Sequence, residues 1–178
     1  GHKGNITVSG TSTAAADVNT IAGLTTGVVR ATISSATNVA ETLAAITNVN
    51  AADIIAYTTT DTSVDASDLV ALKAKVDTFN TGSVKTITEA AANIGTSAAT
   101  IKAALALVIA PNEKVTITDG NISAADLDSI ANATNGAVTA TISSATNVAE
   151  TLAAITNVNP DDIITYTTTQ ATVDASDL

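Results

Sequence analysis

The sequence predicts an α/β fold: a right-handed solenoid, or superhelix, of stacked strand–helix repeats with one parallel sheet and one layer of helices. Three observations carry that expectation. Residues 31–69 recur as residues 140–178 at an offset of 109, with 33 of 39 positions identical. The register extends upstream without a gap, setting Ile6-Thr7-Val8 on Val115-Thr116-Ile117, Asp17 on Asp126, Ile21 on Ile130 and Gly27 on Gly136. Inside this long repeat runs a shorter one, a β-branched stretch followed by a polar turn and an Ala-rich helical stretch, which begins near Asn5, Val28, Ile54, Ser83, Val115, Ala137 and Ile163.

The elements follow from periodicity. Val29, Ala31 and Ile33 alternate with Arg30, Thr32 and Ser34, and Val138, Ala140 and Ile142 with Thr139, Thr141 and Ser143, so these strands bury one face and leave the other rich in threonine. The strand near Val84 alternates less cleanly. Val39, Leu43 and Ile46 fall at i, i+4 and i+7, as do their copies Val148, Leu152 and Ile155, and Leu69, Leu72, Val76 and Ile101, Leu105, Val108 keep helical spacing. Each stripe faces the strands. A single strand and helix cannot enclose a core, so repeats of this size must stack, strand beside parallel strand, with right-handed crossovers.

Composition fits that plan. Of 178 residues, 36 are Ala and 33 are Thr, whereas Tyr57, Phe79 and Tyr166 are the only aromatics. Strands lie about 4.8 Å apart and helix axes about 8–10 Å apart. Small side chains such as Ala14, Ala15, Ala16, Ala90, Ala91 and Ala92 ease that mismatch, and a curved rod with its sheet on the inner side is expected. Gly1-His2-Lys3 reads as an expression-tag scar, which leaves residues 4–178 as one solenoid.

Charge and residue chemistry exclude several functions. Seven basic and 17 acidic residues give a net charge of −10, which speaks against nucleic acid or an anionic membrane as partner. No apolar run reaches the roughly 18 residues needed to cross a bilayer, so membrane insertion is not expected. With no cysteine and one histidine, thiol catalysis, zinc clusters and a hydrolytic triad are not expected, and the chain reads as non-enzymatic.

The acidic residues read first as helix caps. Asn38-x-x-Glu41 and Asn147-x-x-Glu150 have capping-box spacing, and Asp65-x-x-Asp68, Asp174-x-x-Asp177 and Ser123-x-x-Asp126 follow the same logic. No cofactor or metal is expected; a calcium ion would be sought only at Asp119 and Asn121 or at Asp161 and Asp162, in turns of sequence Asp-Gly-Asn and Asn-Pro-Asp-Asp. The outward strand face presents Thr7, Thr32, Thr58, Thr116, Thr141 and Thr167, a candidate surface array for ordered water, ice or a flat glycan, interrupted by Arg30 and Lys85.

The stretch Ser-Ser-Ala-Thr-Asn-Val-Ala-Glu-Thr-Leu-Ala-Ala-Ile, at residues 34–46 and 143–155, resembles the strand–helix tandem repeats of very large cell-surface or secreted bacterial proteins. Those are adhesins, surface-layer and haemolysin-type exoproteins of cyanobacteria and proteobacteria. The resemblance implies an extracellular or cell-surface setting and a role as a stalk or spacer in adhesion, and it supplies no functional residues. Neighbouring repeats of the same parent chain are the expected partners, with an extracellular surface or glycan as a further one. Because Leu178 matches Leu69 at the head of a helix, end-to-end self-contacts are expected in crystals.

Overall fold

Alternating β-branched runs become short parallel strands, and the Ala-rich runs between them become helices of two to three turns. The structure is a computed structural model that describes residues 1–108, 112–143 and 147–177. It divides into two compact units, Gly1–Val84 and Lys85–Leu178.

The N-terminal unit contains β1 (Ile6–Thr7), α1 (Ala15–Leu24), β2 (Val29–Ile33), α2 (Val39–Ala45), β3 (Ile54–Thr58), β4 (Ser63–Asp65), α3 (Ala66–Lys73) and β5 (Thr78–Asn80). Strands β1, β2, β3 and β5 pair in that order, each parallel to the next. In β2, Val29, Ala31 and Ile33 are buried while Arg30 and Thr32 face solvent, the alternation read from the sequence. Helix α1 packs against β2, and α2 against α3. The core joins Ile33, Ile55 and Tyr57 of the strands to Val18, Ile46, Leu69 and Leu72, all at most 2% exposed. Each such side chain contributes about 1.5–3 kcal/mol relative to exposure.

The C-terminal unit contains β6 (Thr86–Ala90), α4 (Ala99–Leu105), β7 (Lys114–Thr118), α5 (Ala124–Ala131), β8 (Val138–Ile142), α6 (Val148–Ala154) and β9 (Ile163–Tyr166). Here β6, β7, β8 and β9 are consecutive and parallel. Ile87, Val115, Val138 and Ile142 meet Ile101, Leu127 and Ile130 in a core of the same kind.

The long repeat is visible atom for atom at both ends of β2 and β8. Thr13 bridges to Ile33 and Ile122 to Ile142, with the Thr13 N–H donating to Thr32 O at 2.8 Å and the Ile122 N–H to Thr141 O at 2.9 Å. Gly27 and Gly136 are required by close approach: a Cβ at Gly27 would collide with the Gly4 carbonyl, and one at Gly136 with the Glu113 carbonyl.

The α/β class with parallel strands is therefore observed, but the expected single sheet is corrected to two. The strand beside β3 is β5, not the stretch near Ser83. Phe79 of β5 lies over Tyr57 with ring centroids 5.7 Å apart. The Asn80 side chain then accepts the Gly82 N–H at 3.0 Å, an Asx turn that ends the strand. A strand of three residues with one apolar side chain has too little alternation to be read from sequence. Ala90, Ala91 and Ala92 do not join an α-helix: Ala90 closes β6, and a 3₁₀ turn spans Ala91–Asn93. Ahead of β1, the His2 N–H donates to Leu24 O at 3.2 Å and His2 O accepts the Thr26 N–H at 2.8 Å.

Candidate functional site

The polar side chains of this chain act chiefly on backbone groups of neighbouring strand–helix repeats. Asp53 sits in the turn before β3, 3% exposed. One carboxylate oxygen accepts the Val29 N–H of β2 at 2.8 Å and the other the Asn50 N–H at 3.0 Å. Its counterpart Asp162 accepts the Val138 N–H at 2.7 Å and the Asn159 N–H at 2.9 Å. Asp77 does the same one repeat on, accepting the Ile55 N–H at 3.1 Å. Each carboxylate thus ties the start of one strand to the turn that precedes the next.

A second brace spans the turns after the helices. Thr25 Oγ1 donates to Gly4 O at 2.7 Å and accepts the Gly27 N–H at 2.9 Å. Thr134 repeats both bonds with Glu113 O at 2.7 Å and the Gly136 N–H at 2.9 Å. A third lies on the helix side. Asn19 of α1 accepts the Asn48 N–H at 2.6 Å, and Asp128 of α5 accepts the Asn157 N–H at 2.7 Å and its side-chain amide at 2.8 Å. Partial burial opposes the charge of Asp128, but donors from Asn157 and Thr156 outweigh it and hold the carboxyl below its ordinary value of 3.8.

Helix caps form the fourth group. Asn38 and Glu41 complete a capping box on α2, and Asn147 accepts the Glu150 N–H at 2.7 Å. Asp65 accepts from Ser67 and Asp68, and Ser123 from Asp126. Asp174 accepts both the Ser176 hydroxyl and its N–H, which lower its carboxyl pKa; the side chain of Asp177 lies outside the described residues. The first N–H of α2, that of Val39, donates to Asp61 at 2.8 Å, and that of Val148 in α6 donates to Gln170 at 2.6 Å.

Asp119 and Asn121 are exposed in the turn after β7, where Asp119 takes a left-handed φ of 52° that Asp tolerates. Asp161 and Asp162 precede β9, at the opposite end of the parallel strands. Asp162 already serves as a brace, while exposed Asp161 lines an open cleft with Asn132, Asn135, Asn157 and Asn159. Among the described residues no group of three or more His, Asp or Glu side chains is placed to hold a metal ion.

The threonine face is staggered. Thr7 pairs with Arg30, Thr32 with Ala56 and Thr58 with Asn80, so Thr7, Thr32 and Thr58 do not stand in one row. In the C-terminal unit Thr116 lies between Thr88 and Thr139, and Thr141 is opposite Thr165. Thr167 follows β9 and is exposed. The one three-strand threonine row described is Thr88, Thr116 and Thr139.

No protein-family model, curated protein or solved structure matches the chain. The site therefore rests on its own geometry. Sequence reading placed the caps but missed the braces Thr25, Asn19, Asp53, Asp61 and Asp77. Four of these recur at the offset of 109 as Thr134, Asp128, Asp162 and Gln170, the same residue or one of similar shape with an acceptor oxygen. That pairing of polar positions is the signal that reveals them.

Proposed function

We propose that the chain is a non-enzymatic structural segment, a spacer or stalk element of an extracellular bacterial repeat protein that holds an adhesive part away from its anchor. The observation that carries this reading is the recurrence of the braces. Asp53 and Asp162, Thr25 and Thr134, and Asn19 and Asp128 make matching bonds at matching positions, all to neighbouring strand–helix repeats. Side chains committed to main-chain N–H and C=O groups are poorly available for substrate, and a structure built from repeated braces extends by adding repeats. In this reading the strand–helix repeats continue as a solenoid-like stack, neighbouring repeats are the partners, and ends meet end to end in crystals. Scattering from chains of one, two and three tandem copies tests it: the longest dimension should grow in proportion to copy number. A dimension that grows only as the cube root of mass would overturn it.

A second reading, a glycan- or ice-binding surface, is favoured by the row Thr88, Thr116 and Thr139, with hydroxyls about 4.8 Å apart on parallel strands. Freezing hysteresis and glycan-array binding test it, and Thr116→Val should abolish whichever activity is found.

A further inference from the structure

The two copies of the long repeat differ most at one place. In the N-terminal unit, Ile33, Val39, Leu43, Ile46, Ile55 and Tyr57 form a trough between α2 and β3, and α3 and β5 fill it. Helix α3 packs against α2, β5 pairs with β3, and Phe79 stacks on Tyr57. Ile46, Ile55 and Tyr57 are consequently at most 1% exposed.

The C-terminal unit has the same six residues, 109 positions on: Ile142, Val148, Leu152, Ile155, Ile164 and Tyr166. They line an open apolar groove. Leu152 is 53% exposed, whereas Leu43 is half-buried, and Ile155, Ile164 and Tyr166 are half-buried where their counterparts are covered. Beside the groove, β9 is the last strand of its sheet.

We propose that this groove and the outer edge of β9 form a docking surface for one further segment of the α3–β5 kind. The filled copy specifies what that segment must bring. It needs a helix with leucines spaced as Leu69 and Leu72, then Val76, and an aromatic like Phe79 to cover Tyr166. It needs an aspartate in the place of Asp77, which accepts the Ile55 N–H at 3.1 Å and whose own N–H donates to Ile55 O at 2.9 Å. Ile164 offers the same pair of groups. It needs a lysine in the place of Lys75, whose ammonium donates to Ile46 O at 3.2 Å and Val49 O at 3.3 Å; Ile155 and Val158 present the matching carbonyls. The partner is thus an amphipathic helix, a turn carrying a lysine and an aspartate, and a short strand, a repeat and not a small molecule. The proposal deepens the spacer reading and rests on it only for the source of that segment.

The test extends the chain beyond Leu178 by a copy of residues 70–84. A control carries the same extension with Leu72→Ser, Val76→Ser and Phe79→Ser in the copy. The apolar extension should slow amide exchange at Ile164, Tyr166 and Thr168 about tenfold or more relative to the control, and raise the thermal midpoint. Equal exchange in the two would overturn the proposal. So would a chain without extension that sediments as a dimer, returns to monomer with Leu152→Ser and is not dissociated by the apolar extension, since the occupant would then be a second copy. Tandem scattering answers the spacer question separately: a groove that fails to dock leaves that result unchanged, and a globular tandem leaves the exchange result unchanged.

Discussion

At the scale of single residues, the chain relies on a few positions where a side chain is either indispensable or misplaced. Gly136→Ala drives a Cβ into the Glu113 carbonyl and should cost about 1–3 kcal/mol in urea unfolding, with Gly27→Ala behaving alike. Glu113 is the opposite case: it is 2% exposed and its Oε2 has no hydrogen-bond partner. Glu113→Met removes the unpaired acceptor while keeping the length of the side chain, and should stabilise by about 1 kcal/mol. Asp128 couples one brace to pH. Its carboxyl is lower in the folded chain than in the unfolded one, where it stands near 3.8, so the unfolded chain binds the proton more readily. Stability from this brace is complete above that value and is lost as pH falls through the lower folded one. Asp128→Asn, which installs the residue that the N-terminal copy carries as Asn19, should keep the brace and flatten the fall in melting temperature between pH 4 and pH 2.

At the scale of elements, α2 and α6 share the sequence Val-Ala-Glu-Thr-Leu-Ala-Ala and an Asn N-cap, but not the acceptor of their first N–H. The Val39 N–H meets the anionic Asp61, and the Val148 N–H meets the neutral Gln170. A negative charge at a helix N-terminus contributes about 0.3–1 kcal/mol, so Gln170→Asp should raise the urea midpoint and Asp61→Gln lower it. Asn38→Ala should cost about 1 kcal/mol through loss of the capping box. The strands and helices with full alternation or stripes, β2, β8, α2 and α6, were legible in the sequence because their burial depends on their own periodicity. β5 was not, because its place is set by Phe79 lying on Tyr57, a contact that no local pattern announces. Nor was the break before α4, where Ser97 and Ala98 both take left-handed φ angles of 54° and 55° without a glycine at either position. The Ser129 hydroxyl donates to Ser97 O at 3.2 Å and helps to hold that turn, a bond between residues 32 positions apart.

At the scale of the whole molecule, a composition poor in aromatics and rich in Ala and Thr becomes short parallel strands and helices arranged in two sheets. Of its 17 acidic residues, which the sequence offers first as helix caps, Asp53, Asp61, Asp65, Asp77, Asp128 and Asp162 each accept main-chain N–H bonds. Millimolar calcium and a chelator should therefore give the same melting temperature. The braces were hidden from a residue-by-residue reading because each joins residues 20 to 30 positions apart, and only the offset of 109 shows them as a set. The central claim is that these carboxylates hold the repeats together, and urea unfolding of Asp53→Ala and Asp162→Ala tests it most directly. A bond to a charged acceptor contributes about 1.5–3 kcal/mol, so each variant should lose that much and the two losses should be alike. Losses below about 0.5 kcal/mol in both, the range of an ordinary surface change, would contradict the account.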